Sequence, residues 1–189
     1  MSSLRQAAIS LFETLDELRI IYAVGGSFAS SLHGVSRATQ DLDIVIDLSE
    51  AQVAALFKAL SPAFYVDQDS MMLAIRSGIA FNVIHFTSGL KIDLFVATRH
   101  PLGAEQLAHR RVEATALLGG EPIEVNVISP DDIVLAKLLW YRAGGDSSER
   151  QWNDLANLVA VQGGRLDRGY LEVQAKRLGI ADLLKRLLS

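Results

Sequence analysis

At Ser129-Pro130 the hydrophobic pattern changes period, and that switch limits what the chain can fold into. Before it, short β-branched runs alternate with Gly-rich punctuation; after it, apolar residues recur at three- and four-residue spacing to the end. Ser129 is placed to cap a helix with Pro130 at its first position, where a missing N–H costs nothing, and that helix should run to about Arg142. Further helices are expected at about 148–161, 167–178 and 181–188, each bounded by glycine. Upstream, Leu4–Arg19 carries Leu4, Ala8, Leu11, Leu15 and Leu18 on one helical face. Strands are expected at Ile20–Val24, Leu42–Leu48, Phe81–Phe86, Lys91–Val96, Arg111–Leu118 and Ile123–Ile128, with Ser88-Gly89 turning an antiparallel hairpin. Phe28–Leu32 reads as a short helix ending at His33-Gly34, Val35–Gln40 as extended, and Ser49 as the cap of a helix to Leu60. The expected class is therefore α+β: a unit over 1–128, then a helical unit over 129–189.

The 189 residues are half hydrophobic, enough to bury on the order of 70% of the unfolded surface without a disulfide or structural metal. The chain has no cysteine, which excludes thiol nucleophiles and zinc fingers and is compatible with a reducing cytoplasm, the expected location. Net charge is −4, and the acidic pI near 5.5 argues against an electrostatically driven DNA binder. Glu13, Asp16 and Glu17 break up the first helix, so it does not read as a signal peptide, and no run suits a membrane helix. The acidity sits upstream, −5 before Ser129 against +1 after it. Lys176, Arg177, Lys185 and Arg186 near the C-terminus read as a solvated face or, less simply, as a surface for RNA.

The chemistry concentrates in Ala23-Val-Gly-Gly-Ser27 and Arg37-Ala-Thr-Gln-Asp-Leu-Asp-Ile-Val-Ile46. Side chains alternate along a strand, so Asp41 and Asp43 share one side while Leu42 and Ile44 take the other. Two such carboxylates repel unless a cation lies between them, and Mg²⁺ is the natural hard partner. A third, Asp93, stands among apolar neighbours in Lys91-Ile-Asp-Leu-Phe-Val96. Gly25, Gly26 and Ser27 form a strand-to-helix turn of the kind that lets backbone N–H groups approach a phosphate. The turn is not a P-loop, and it also resembles a relaxed nucleophile elbow, for which His100 and His109 have no recognisable setting. Lys137 interrupts an apolar helix face, as a triphosphate contact or as a snorkelling lysine. Arg37 and Thr39 either steady a nucleotide or close a loop. Asp154 is expected to salt-bridge within the helical unit, for instance with Arg150 four residues before it, and His33 to be a helix-end hydrogen-bond partner. Trp140, Tyr141 and Trp152 are expected to be core or interface, not base-stacking platforms.

Apolar-Gly-Gly-Ser, Asp41-Leu-Asp43 and an isolated Asp93 resemble the signature of the polymerase-β-like nucleotidyltransferase superfamily. The block His33-Gly … Arg37-x-Thr39-x-Asp41-Leu-Asp43, with Ser129-Pro-Asp-Asp … Lys137 and Arg150-Gln-Trp-Asn-Asp154, is most similar to its AbiEii/AbiGii toxin-like branch. The resemblance implies a small mixed sheet with flanking helices followed by a helical unit, and two-metal transfer of a nucleoside monophosphate from a triphosphate to an acceptor hydroxyl. By the same resemblance, Asp41, Asp43 and Asp93 are the catalytic and metal-binding residues. Gly25, Gly26, Ser27, Arg37, Thr39 and Lys137 contact the nucleotide, and Mg²⁺, or Mn²⁺ in its place, is the cofactor. The toxin-like resemblance implies an acceptor hydroxyl on RNA or protein, with a small antibiotic-type molecule as the alternative. An antitoxin-like partner, a homodimer and a catalytically silent nucleotide- or partner-binding module are the remaining alternatives.

Overall fold

The structure is a computed structural model that describes residues 3–33, 42–116 and 118–189. Helix α1 (Ser3–Glu17) leads into β1 (Tyr22–Val24), and α2 (Gly26–His33) follows directly. β2 (Leu42–Ile46) precedes a 3₁₀ turn at Glu50–Gln52 and α3 (Val53–Leu60). The expected single helix from Ser49 is thus a 3₁₀ turn running into an α-helix, with Ser49 N–H donating to the Gln52 side chain at 3.1 Å. β3 (Phe64–Tyr65), α4 (Gln68–Ser77), β4 (Ala80–His85), β5 (Lys91–Val96), α5 (Gly103–Ala108), β6 (Arg111–Thr115) and β7 (Ile123–Val127) come next. The chain then turns helical: α6 (Pro130–Ala143), α7 (Glu149–Gln162), α8 (Arg168–Arg177) and α9 (Ala181–Leu188). The switch at Ser129 is real, and its hydroxyl accepts the Asp132 N–H at 3.2 Å.

One mixed sheet runs β3-β4-β5-β2-β1-β7-β6. The hairpin β4–β5 is antiparallel, as is β1–β2, while β2–β5 and β1–β7 are parallel. Opposed residues share a face. Tyr22 lies opposite Ile46 and stacks on Phe12 of α1 at 5.1 Å, which puts α1 over the face carrying Ile44 and Ile46. Leu42, Ile44, Ile92, Leu94, Phe81 and Val83 complete that buried face. The opposite face carries Asp43 and Val45 of β2 and Lys91, Asp93 and Phe95 of β5, and against it pack α2 and α5.

Three upstream elements go beyond the sequence expectation: the two-residue β3, α4 and α5. α4 is capped by Asp67, whose carboxylate accepts the Ser70 N–H at 2.8 Å, and is closed by Gly78 at φ +73°. α5 is only six residues long, too short to show a period.

Candidate active site

β1 ends at Val24 and its backbone pairing with β2 continues for one more residue, Gly25 N–H to Asp43 C=O at 2.8 Å. The next residue, Gly26, opens α2 with φ +57°, a left-handed conformation that costs any L side chain about 1–2 kcal/mol. It is also crowded: a Cβ there would lie 2.6 Å from Asp43 Cγ and closer still to Oδ2. Backbone and carboxylate therefore touch because the residue is glycine. Asp43 stands opposite Asp93 in the parallel β2–β5 pairing, so the two carboxylates project side by side from neighbouring strands. The Lys91 ammonium pairs with Asp93 Oδ2 at 2.9 Å along the same strand face.

Gly25, Gly26 and Asp43 border a cavity of about 560 Å³, and Asp93 and Lys91 stand beside it on β5 without lining it. Gly25, Gly26, Ser27 and Asp43 form one wall; Val45 and Phe95, one same-face step further along β2 and β5, form its floor. α6 contributes Ile133, Ala136, Lys137 and Trp140, and the start of α7 contributes Ser148, Arg150, Gln151 and Asp154. His100 and Gln106 line it from the β5–α5 side. Burial holds the His100 imidazole below its ordinary range, against an opposing pull from Glu105. Its Nδ1 accepts the Leu102 N–H at 3.3 Å, so the neutral ring carries its proton on Nε2.

No family model matches the chain and no curated protein sequence matches it. Solved structures do. The antibiotic-resistance factor ANT(2'')-Ia aligns over 96% of this chain and 95% of its own, with a TM-score of 0.55 and 16% identity. The same enzyme in complex with adenylyl-2''-tobramycin aligns over 92% and 97%, with a TM-score of 0.56 and 14% identity. An antigenic nucleotidyltransferase-like protein from Paracoccidioides brasiliensis aligns over 99% and 94%, at 0.53 and 20%. The chain has the nucleotidyltransferase fold.

Within that fold, Gly25, Gly26, Ser27, Asp43 and Lys137 meet at one cavity, with Asp93 beside Asp43 on the next strand. Asp41, Arg37 and Thr39, and with them the expected extended run Val35–Gln40 and the stop at Gly34, lie outside the described residues. The donor set present suits Mg²⁺: Asp43 and Asp93 supply hard oxygens in register, and Gly26 keeps the space over Asp43 clear of a side chain. No third acidic or imidazole ligand joins them among the described residues. Asp154 salt-bridges within the helical unit as expected, with its carboxylate 3.5 Å from Lys137 Nζ, across α6 and α7. Lys137 therefore reaches the cavity rather than snorkelling to bulk solvent.

The aromatic residues divide. Tyr141 is buried and packs on Trp152 at 5.1 Å, but Trp140 is 57% exposed and is not core. Arg186 covers Trp152 at 4.0 Å, and Arg177 binds Glu105 and the Pro101 carbonyl, so two of the four C-terminal cations hold the fold together. His33 does serve a helix end, where its carbonyl accepts from the Gln162 side chain, and burial lowers its pKa. Sequence reasoning passed over Gln106, His100 and Gln151 as cavity residues, and nothing in their local spacing marks them. No helix among the described residues is long and apolar enough to cross a membrane.

Proposed function

We propose that this chain transfers a nucleoside monophosphate from a nucleoside triphosphate to a hydroxyl of a small acceptor, with Mg²⁺ and with release of pyrophosphate. The observation that carries it is the contact between Gly26 and Asp43 at a cavity beside in-register Asp93. The exposed N–H groups at the start of α2 and the Ser27 hydroxyl bind the phosphates, and Lys137 adds positive charge from α6. Asp43 and Asp93, with Asp41 by the sequence resemblance, hold the metal, which when bound offsets the triphosphate charge and favours the leaving pyrophosphate. Asp93 accepts the acceptor's hydroxyl proton as the oxygen bonds to the α-phosphorus; the bond from that phosphorus to the bridging oxygen breaks, and pyrophosphate leaves with the electron pair. Residues 1–128 act as the transferase unit, and 129–189 supply the opposite wall of the cavity.

Among the acceptors left open by the sequence, a small molecule is favoured over RNA, a protein side chain or a toxin-type target with its antitoxin. Beyond Asp43 the cavity continues over Val45, 6% exposed, to Gln106, 3% exposed. A cavity of about 560 Å³ suits a compact polar molecule. The structural likeness to ANT(2'')-Ia, seen with adenylyl-2''-tobramycin, points the same way. Calorimetric titration with each nucleoside triphosphate, with and without Mg²⁺, tests the reading on wild type and Asp43→Asn. Metal-dependent binding lost in the variant, followed by pyrophosphate release with tobramycin but not with total RNA, is expected. Nucleotide binding indifferent to Mg²⁺ and to Asp43 would reduce the chain to a silent binding module.

A further inference from the structure

The cavity wall made by α6 and α7 has features that phosphate binding does not use. Lys137 and Trp140 are three residues apart, one turn or about 5 Å along α6, and both line the cavity. Trp140 is 57% exposed there, whereas the other tryptophan, Trp152, has its ring occupied by Tyr141 and Arg186. A large aromatic ring left open on a cavity wall, a turn beyond a phosphate-facing lysine, is placed to receive a flat heterocycle. The second feature is Gln151. Its backbone N–H is satisfied by Ser148 Oγ at 3.3 Å, but its side-chain oxygen is enclosed with no donor. An enclosed amide oxygen without a partner is a cost to the free protein that an incoming N–H removes. The neighbouring charges Lys137 and Asp154 are paired with each other and Arg150 lines the same wall, so this corner offers an apolar face and a hydrogen-bond acceptor beside a cationic side chain.

We infer that the base of the bound nucleotide stacks on Trp140 and donates an exocyclic amino group to Gln151 Oε1, making an amino-bearing base, adenine or cytosine, the preferred one. The inference rests on the nucleotidyl-transfer reading and deepens it, because it assigns the base-recognition end of the same cavity. An anion is disfavoured at Gln151 Oε1, and a base lacking the amino group leaves that oxygen as it is in the free protein. Stacking on an aromatic side chain contributes to every base; only the amino group discriminates.

The test is calorimetric titration of the full chain in Mg²⁺ with ATP, with purine riboside triphosphate, which lacks only the amino group, and with inorganic tripolyphosphate. Tryptophan fluorescence is recorded alongside. On wild type, ATP is expected to bind about tenfold more tightly than purine riboside triphosphate, the effect of one hydrogen bond. That ratio should fall to one in Gln151→Leu. Trp140→Leu should weaken ATP by about tenfold or more while leaving tripolyphosphate unchanged. ATP, but not tripolyphosphate, should quench the fluorescence in wild type and in Trp152→Phe. Equal affinity for the two nucleotides on wild type, or unchanged ATP affinity in Trp140→Leu, overturns the assignment while leaving Asp43-dependent nucleotide binding intact. If neither ATP nor tripolyphosphate binds, the transfer reading itself fails and the base site falls with it. Trp140 is exposed, so its variant is expected to melt like wild type, and a melt of each variant separates misfolding from lost recognition.

Discussion

The sharpest prediction concerns Gly26→Ala, because two separable penalties act at that position. The first is conformational: φ is +57°, and an L side chain in the left-handed region costs about 1–2 kcal/mol. The second is steric. The new Cβ would sit 2.6 Å from Asp43 Cγ and 2.8 Å from Asp43 Cβ, so the strand or the carboxylate has to move. Overpacking of this kind costs about 1–3 kcal/mol. Together the substitution should remove about 2–5 kcal/mol, which in a chain of this size is a fall in Tm of roughly 5–15 °C. Gly89 supplies the control, with φ +68° and nothing within 4 Å of an added Cβ. Gly89→Ala should show the conformational penalty alone and leave nucleotide binding unchanged. The steric share is then isolated by the double variant Gly26→Ala/Asp43→Ala, which removes the nearest atoms and keeps only the 2.8 Å contact. Measured by urea denaturation, the penalty of Gly26→Ala should shrink in the Asp43→Ala background towards that of Gly89→Ala. In the otherwise wild-type chain, Gly26→Ala should abolish Mg²⁺-dependent nucleotide binding. A Gly26→Ala penalty equal to that of Gly89→Ala, or one unaffected by Asp43→Ala, would refute the claim that the carboxylate is held against the turn.

Acid should destabilise the fold through His33 and His100. Burial lowers both below the ordinary 6.5, with Glu113 acting against it at His33 and Glu105 at His100. The unfolded chain therefore binds protons first, so their contribution is complete above about pH 6.5 and is lost as pH falls through the lower folded values. Melting curves from pH 8 to pH 5 should show that loss, smaller in His33→Gln; a Tm flat across this range would contradict it. Asp132 is completely buried and takes Ser129 Oγ at 2.8 Å, Tyr170 OH at 2.6 Å and His109 Nδ1 at 3.2 Å. Asp132→Ala removes the acceptor of the Ser129 and Tyr170 hydroxyls, while the half-exposed His109 turns to water, and should cost about 1–3 kcal/mol. Urea denaturation showing less than about 1 kcal/mol, the scale of one ordinary hydrogen bond, would mean that the cluster is solvated.

Local chemistry made the sequence legible where a single residue type decides the outcome. Ser129-Pro130 could only open a helix, and alternation placed Leu42 and Ile44 in the core with Asp43 opposite them. The misses have different causes. The sequence left the partner of Asp154 open, and Lys137 meets it because α6 and α7 pack side by side and bring together residues 17 positions apart. Asp132 reads locally as an acidic first-turn residue, favourable to the helix dipole, yet its partners stand 23 and 38 positions away. The Lys91–Asp93 pair follows from strand alternation, since residues two apart share a face, but nothing marked Lys91 until β4 and β2 flanked β5.

What the sequence does not disclose is the parallel pairing that assembles the cavity. β1 and β7 run parallel with Val24 opposite Val127, and Ile128 N–H bonds Val24 C=O at 2.9 Å. Helices α2 and α6 begin two and three residues later, so both start from the same end of the sheet and pack against one another. β2 is antiparallel to β1, and its Asp43 therefore stands at that end as well, directly against Gly25 and Gly26. β5, parallel to β2, brings Asp93 into the same row. Two helix starts and two carboxylates thus converge at one edge through strand direction alone. Lys137 and Trp140 reach the cavity because the first turn of α6 is fixed by a strand end, by the Ser129 cap and by the Asp132 cluster that ties it to α8 and to the end of α5. A nucleotide needs donors for its phosphates and a counter-charge for its metal within a few ångströms of each other. On the function proposed above, strand direction brings both to one edge of the sheet.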